Sequence, residues 1–197
     1  MSLEVLSTAA AIGTFLVIAA TAVAALIQLR HMRSGNEIVA VTEFRETYES
    51  AHFNDARQRL EEIIDQIDDP RVRSDLMKIP LPAEYQAIRI VANLFETLGA
   101  FVKYGIIDEN IACDLWGQVV VNMWKRMLPV TAIRRRALGK SLWENYEYLT
   151  VLAQDFGARH SGSTYPSSAR HLPVTDPWLE EDMAAGIVQT TKLTRTS

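Results

Sequence analysis

Apolar positions along this chain follow two patterns, one continuous and one helical. Residues 5–29, VLSTAAAIGTFLVIAATAVAALIQL, carry no charged side chain. As a helix this segment is about 37 Å long, enough to cross a hydrocarbon core of about 30 Å with some tilt. Small residues such as Gly13 recur along it and favour close helix contact within a membrane. The segment therefore predicts a transmembrane helix.

A cleaved signal peptide is the alternative interpretation of this segment. Ala22-Val23-Ala24 resembles a small-residue cleavage site, but no basic residue precedes the apolar run. Arg30, His31 and Arg33 follow it directly. Because Lys and Arg favour the cytoplasmic side, these membrane-flanking residues predict an outward N-terminus and a cytoplasmic location for the remaining chain. No second uncharged run of similar length follows, which predicts a single pass.

Beyond residue 34, apolar side chains recur at helical spacing. The pattern predicts five helices, at about residues 37–51, 54–67, 82–102, 109–128 and 131–156. Asn54 or Asp55 is expected to cap the second helix, and the proline-containing residues 70–82 to form a loop. Pro129 is expected to separate the last two helices, and Gly157 to end the last.

The stretch NLFETLGAFVKYGIIDEN, residues 93–110, reads as the joint between two of these helices. Gly105 is placed for a left-handed C-cap, and Asp108 for the N-cap of the next helix. Ile106 and Ile107 are expected to be buried where the helices meet. These features explain the glycine and the aspartate without a ligand.

The fold class predicted is all-α, with a single N-terminal transmembrane helix followed by a cytoplasmic helical bundle of about five helices. Residues 1–33 form the membrane anchor and residues 34–157 the helical domain. Residues 158–197 are predicted to be a Ser/Pro-rich linker, a short helix to about Ala185 with Asp176 as its cap and Pro177 in its first turn, and a tail.

The charge balance argues against nucleic acid as a partner. The chain has a net charge of −4, whereas a domain that neutralises phosphates carries an excess of Lys and Arg. Cys113 is the single cysteine, so no internal disulfide forms, as expected in the cytoplasm. Its apolar helix face predicts a buried, unreactive thiol.

One line of polar side chains has two interpretations. Arg89, Asn93 and Glu96 follow one another at helical spacing beside an apolar stripe. They either bind a small polar or anionic ligand, or form a structural network in which an arginine pairs with Glu96; the second interpretation is favoured. Three further arginines are candidate partners of Glu96 and lie near the start of the last predicted helix: Arg134, Arg135 and Arg136. Anionic lipid is an alternative contact for them.

Motifs for catalysis or metal binding are weak. Glu49-x-x-His52 matches the spacing of helical di-iron ligands, but no second copy follows. The sequence has no phosphate-binding glycine loop, nucleophile elbow or His-Glu-x-x-His motif. The expectation is a protein without a cofactor, metal or catalytic residue.

A family resemblance rests on residues 93–156. Asn93-x-Phe95-Glu96-x-x-Gly99 is followed by Gly105-Ile106-Ile107-Asp108, then by Trp124 and Pro129, and then by Trp143-Glu144-x-x-Glu147-x-Leu149. This order resembles the bacterial family known as domain of unknown function 4760, over about the middle two-thirds of the chain. The resemblance implies one membrane helix at the N-terminus and a cytoplasmic helical region, and it transfers no activity.

These observations together predict a single-pass inner-membrane protein that acts by protein contact. It is expected to be a scaffold, accessory subunit or regulator, with the lipid bilayer and either other membrane subunits or a second copy as partners. The alternative is a membrane-tethered sensor that binds a ligand at the polar line.

Overall fold

Helices account for all the regular secondary structure in the residues that the computed structural model describes, 3–160, 164–166 and 168–186. The all-helical prediction is confirmed over these residues. The α-helices are α1 Leu3–Glu49, α2 Ala51–Asp65, α3 Pro70–Leu76, α4 Gln86–Lys103, α5 Glu109–Leu138, α6 Glu144–Arg159 and α7 Leu179–Ala184, and a 3-10 helix, Ala83–Tyr85, leads into α4.

The chain divides into two compact units, Met1–Ser163 and Thr164–Ser197. The first holds α1 to α6, in which α6 packs against both α4 and α5, and α2 packs against α4. The second holds α7. Just before this helix, the Asp176 side chain accepts a hydrogen bond from the Trp178 amide. Residues 187–197 of the predicted tail lie outside the described part of the chain.

The apolar segment and the first predicted bundle helix form one continuous helix, α1. Its residues in the window Ile12–Leu29 have no contact that buries them, whereas Ala40 and Phe44 are buried in the bundle. The Phe44 ring packs edge-on to the Trp116 ring of α5, with 4.7 Å between centroids. The same helix therefore carries an exposed apolar half and a half that is part of the core.

A single residue, Ser50, separates α1 from α2, and the cap of α2 differs from the prediction. Ser50 adopts an extended conformation, and its Oγ accepts a hydrogen bond from the Phe53 amide. Asn54 and Asp55, the predicted caps, lie inside the first turns of α2. The prediction was wrong because a serine is as good a cap as asparagine or aspartate, and the direction change between α1 and α2 selects Ser50.

Residues 70–82 were predicted to be a loop, but they contain α3. Asp69 accepts a hydrogen bond from the Arg71 amide at 2.8 Å, and Pro70 occupies the first turn. This is the arrangement in which proline favours a helix, since the first amides have no partner within the helix. Val72 and Leu76 anchor α3 to the core.

α5 runs through Pro129 without a break, contrary to the prediction. Proline removes one helical hydrogen bond and costs about 3 kcal/mol in a helix interior. Pro129 is exposed, so water can satisfy the freed carbonyl, while Met127 and Val130 on either side are fully buried. Their burial, at about 1.5–3 kcal/mol for each side chain, offsets that cost. α5 ends at Leu138, and Gly139 directly after it has a φ of 94°.

The turn between α4 and α5 has the predicted caps. Gly105 has a φ of 66°, and the Asp108 side chain accepts hydrogen bonds from the amides of Asn110 and Ile111. Both predictions are confirmed. Ile107 is fully buried, but Ile106 is 42% exposed, because a tight turn presents two successive side chains in different directions.

The predicted end of the last bundle helix at Gly157 was wrong, since α6 continues to Arg159.

Candidate functional site

Glu96 of α4 binds the start of α6 with both carboxylate oxygens. Oε1 accepts a hydrogen bond from Asn145 Nδ2 at 2.7 Å, and Oε2 accepts one from the backbone N–H of Tyr146 at 2.8 Å. That N–H is one of the first amides of α6, which have no partner within the helix. The negative carboxylate is also favourable beside the positive end of the helix dipole. Glu96 therefore caps α6 from a neighbouring helix.

Asn93, one turn before Glu96, holds the residue that precedes α6. Its Oδ1 accepts a hydrogen bond from Trp143 Nε1 at 3.3 Å. Trp143 is buried and has a φ of 57°, a left-handed conformation that costs a bulky residue about 1–2 kcal/mol. Burial of the indole and the bond to Asn93 keep the chain in this strained turn.

Gly99 lets α4 and α6 approach more closely than any side chain permits. A Cβ at Gly99 would lie 2.5 Å from the carbonyl carbon of Asn145 and closer still to its oxygen. Below this crossing, the Phe95 and Tyr146 rings stack with centroids 4.9 Å apart, and the Tyr146 ring meets Trp124 edge-on at 4.9 Å. We refer to Asn93, Phe95, Glu96 and Gly99 with Trp143, Asn145 and Tyr146 as the α4–α6 joint.

The arginines considered as partners of Glu96 lie elsewhere. Arg134 is buried, and its Nη1 donates to the carbonyls of Leu76 at 2.6 Å and Lys78 at 2.9 Å, holding the end of α3. Its burial lowers the pKa of the Arg134 guanidinium. In the part of the chain that the structure describes, this arginine and the others do not pair with Glu96.

The remaining arginines of the predicted set differ in their surroundings. Arg135 donates to the Leu142 carbonyl at 3.0 Å and pairs with Glu147 at 2.7 Å, which ties the turn after α5 to α6. Arg89 and Arg136 are exposed. The fold thus brings Asn93 and Glu96 together at the joint and distributes the arginines over other contacts.

Other side chains singled out from the sequence have simple environments. Burial raises the pKa of the Cys113 thiol to about 11, so it is neutral and unreactive at neutral pH. Glu49 pairs with Arg45 on α1, and among the described residues no group of His, Cys, Asp and Glu has a metal-binding arrangement. His31 is exposed, whereas the side chains of Arg30 and Arg33 lie outside the described part.

A groove that the sequence did not indicate lies between α2 and the start of α4, with a volume of about 220 Å³. Charged side chains of both signs line it, including Asp55, Arg59 and Glu84. Gln86 Oε1 is buried there without a hydrogen-bond partner, while its Nε2 donates to the Leu81 carbonyl. Since that oxygen is closed to solvent, a ligand in the groove does not reach it.

The apolar window Ile12–Leu29 is long and apolar enough to cross a membrane, and it is the one such segment among the described residues. It is helical throughout and joins the bundle without a break. Residues 22–24, which resemble a cleavage site under the signal-peptide alternative, lie within this helix.

The fold and the joint define this molecule as an all-helical bundle with one apolar N-terminal helix. The polar and aromatic residues of the α4–α6 joint connect two helices of the bundle. The chain belongs to the family described as Domain of unknown function (DUF4760), whose model matches residues 15–151. Comparisons with curated proteins and with solved structures give no match.

Sequence reasoning identified Asn93 and Glu96 but not what they bind. The partners of Glu96 are a backbone N–H and an asparagine side chain, and a backbone amide leaves no mark in a sequence. Asn145 and Tyr146 were missed as members of the joint for the same reason. Two signals pointed in that direction: the glutamate one turn before Gly99, and the tryptophan directly before α6.

Proposed function

We propose that this protein is a single-pass membrane protein that acts by protein–protein contact, as a scaffold, accessory subunit or regulator, without catalysis. The observation that carries the proposal is α1, which presents an uncovered apolar segment and continues directly into the core of a helical bundle. A helix built in this way transmits position and contact between a bilayer and a folded domain.

The proposed location is the bacterial inner membrane, with the N-terminus outside and the bundle in the cytoplasm. Support comes from Arg30, His31 and Arg33, which follow the apolar window, since basic residues favour the cytoplasmic side. The signal-sequence alternative requires cleavage near residues 22–24. An anchor is favoured because cleavage there would leave about five residues of the apolar window exposed to water at the new terminus.

Protein–protein contact is favoured over ligand binding because the side chains of the polar line already make hydrogen bonds within the bundle. Asn93 and Glu96 use their oxygens to hold Trp143 and the start of α6, Arg134 holds the end of α3, and Arg135 holds the turn between α5 and α6. The alternative proposal is a membrane-tethered sensor in which Arg89, Asn93, Glu96 and one of these arginines bind a small polar or anionic ligand. For such binding, existing hydrogen bonds at the joint must first break.

Fractionation and protease protection test the anchor and its orientation. The full chain is expected to stay in the membrane fraction after an alkaline carbonate wash, with an intact mass that includes residues 1–24. Protease added outside spheroplasts is expected to leave the bundle whole, because the bundle lies on the other side of the bilayer. Cleavage of the bundle after detergent addition is the control for protease activity. A soluble product that starts near residue 25 contradicts the anchor.

Association through the membrane helix is tested by Gly13→Leu. Nothing lies within 4 Å of a Cβ at Gly13, so the monomer accommodates leucine. If Gly13 lies at a close helix contact, lipid-phase cross-linking of two copies or of a second subunit falls by about tenfold, equivalent to about 1.4 kcal/mol of lost packing.

Phe15→Leu is the matched control for this variant. Phe15 is exposed and lies about 200° around the helix from Gly13, on the opposite face. Cross-linking by this variant is expected to equal that of the wild type. A strictly monomeric wild-type protein in lipid, without a copurifying subunit, contradicts the proposed mode of action.

A further inference from the structure

The turn between α4 and α5 exposes apolar side chains at the end of the bundle nearest the apolar half of α1. Tyr104 is 74% and Ile106 42% exposed, while Ile107 between them and α5 is fully buried. Ile38 and Val39 of α1 are also exposed. We refer to residues 104–107 as the α4–α5 corner.

Hydrogen bonds fix the corner both within itself and to α1. The amides of Ile106 and Ile107 both donate to the Phe101 carbonyl, at 2.8 and 3.3 Å. The amide of Asp108 donates to Glu37 Oε1 of α1 at 2.7 Å. This last bond sets the position of the corner along α1 at the level of Glu37, because α1 is a continuous helix.

The level of Glu37 places the corner close to a membrane surface. Glu37 lies eight positions after Leu29, the end of the apolar window, which corresponds to about 12 Å of helix. The headgroup layer of one leaflet is about 5–7 Å thick. A gap of about 5–7 Å remains, which a tyrosine side chain can bridge, and tilt of α1 lowers one side of the bundle further.

Charges around the corner are compatible with such a surface. Glu109, the first residue of α5, pairs with Arg159 of α6 at 3.2 Å, and Lys103 directly precedes the corner. Asp108 and Glu37 carry negative charges, but the Asp108 carboxylate accepts hydrogen bonds from the first amides of α5, and Glu37 accepts one from the Asp108 amide. The Lys103 ammonium donates to Asn145 Oδ1 at 3.1 Å and lies 5.8 Å from the centroid of the Tyr104 ring. A tyrosine is typical of membrane interfaces, where its aromatic ring contacts both lipid and water.

We propose that the α4–α5 corner rests in the headgroup layer of the bilayer that α1 spans. The contact gives the bundle a second attachment beside α1 and a fixed orientation relative to the membrane. This inference rests on the proposed membrane anchor, and the experiment below separates the failure of one from the failure of the other.

Spin labels at three positions test the inference in the full chain. In a Cys113→Ala background, a cysteine is introduced in three separate variants: Ile18→Cys in the apolar window, Ile106→Cys at the corner, and Leu138→Cys at the end of α5. Ile106 and Leu138 are matched, with exposures of 42% and 41%. Each variant is reconstituted in phosphatidylcholine–phosphatidylglycerol vesicles, and collision with a water-soluble nickel chelate and with oxygen is measured.

We expect the label at Ile18 to be reached by oxygen and shielded from nickel. The label at Ile106 should collide with nickel about threefold less often than the label at Leu138, as for a group in the headgroup layer. Equal nickel collision at Ile106 and Leu138, with Ile18 shielded, overturns the inference and leaves the anchor intact. Free nickel access at Ile18 overturns both. Spin–spin broadening confined to Ile106 assigns the corner to a second copy and also overturns the inference.

Discussion

Gly99→Ala is expected to lower the free energy of unfolding by about 3 kcal/mol. The added Cβ would lie 2.5 Å from the Asn145 carbonyl carbon, and this neighbour is backbone that cannot rotate away. α4 and α6 must therefore move apart, which loosens the Phe95–Tyr146 stack. Chemical unfolding in mild detergent, followed by tryptophan fluorescence and near-UV circular dichroism, measures the loss.

Gly117→Ala on α5 is the matched control for this effect. Its Cβ would meet the Ala153 Cβ at 3.5 Å, an ordinary contact. Because alanine favours a helix over glycine by about 1 kcal/mol, this variant is expected to be as stable as the wild type or more so. Equal losses in the two variants would contradict a special role for close approach at Gly99.

Glu96→Ala is expected to lower the free energy of unfolding by about 2 kcal/mol. The change leaves the Tyr146 amide and the Asn145 side chain without their acceptor in a partly buried place. Glu96→Gln keeps one acceptor oxygen and is expected to lose about half as much. Glu46→Ala, at an exposed glutamate of α1, is the control and should leave stability unchanged.

The same variant separates the two proposals for the polar line. Under the structural proposal, Glu96→Ala lowers the melting temperature whether or not small anions or polar solutes are present. Under the sensor proposal, the wild-type protein gains stability with a ligand by mass action, and Glu96→Ala loses this gain while keeping the wild-type melting temperature. An unchanged melting temperature for Glu96→Ala would therefore contradict the proposal that Glu96 stabilises the α4–α6 joint.

The residues that carry the family resemblance now have a physical explanation. Asn93, Glu96 and Gly99 of α4 meet Trp143 and the first turn of α6, so these scattered positions form one contact in space. The pattern marks how two helices of the bundle are locked together. In this chain, these positions have a structural explanation through the packing of α4 against α6.

Local signals were sufficient where one residue decides the backbone. Gly105 and Asp108 act within a single turn, through a positive φ and a side-chain cap, and both were predicted from their type and position. Pro129 misled because its effect depends on surroundings: on an exposed face, with buried neighbours on both sides, a helix continues through proline. Ser50, Asn54 and Asp55 are all competent caps, so the choice among them depended on where α1 turned.

The sequence by itself determined that the chain is helical, that residues 5–29 are apolar enough for a bilayer, and where the turn between α4 and α5 lies. These properties depend on composition and on interactions over a few residues. Only the tertiary structure decided what Glu96 binds, why Gly99 has no side chain, and that Arg134 faces inward to the end of α3. Each of these depends on backbone atoms about 50 residues away, and a backbone atom has the same identity at every position of a sequence.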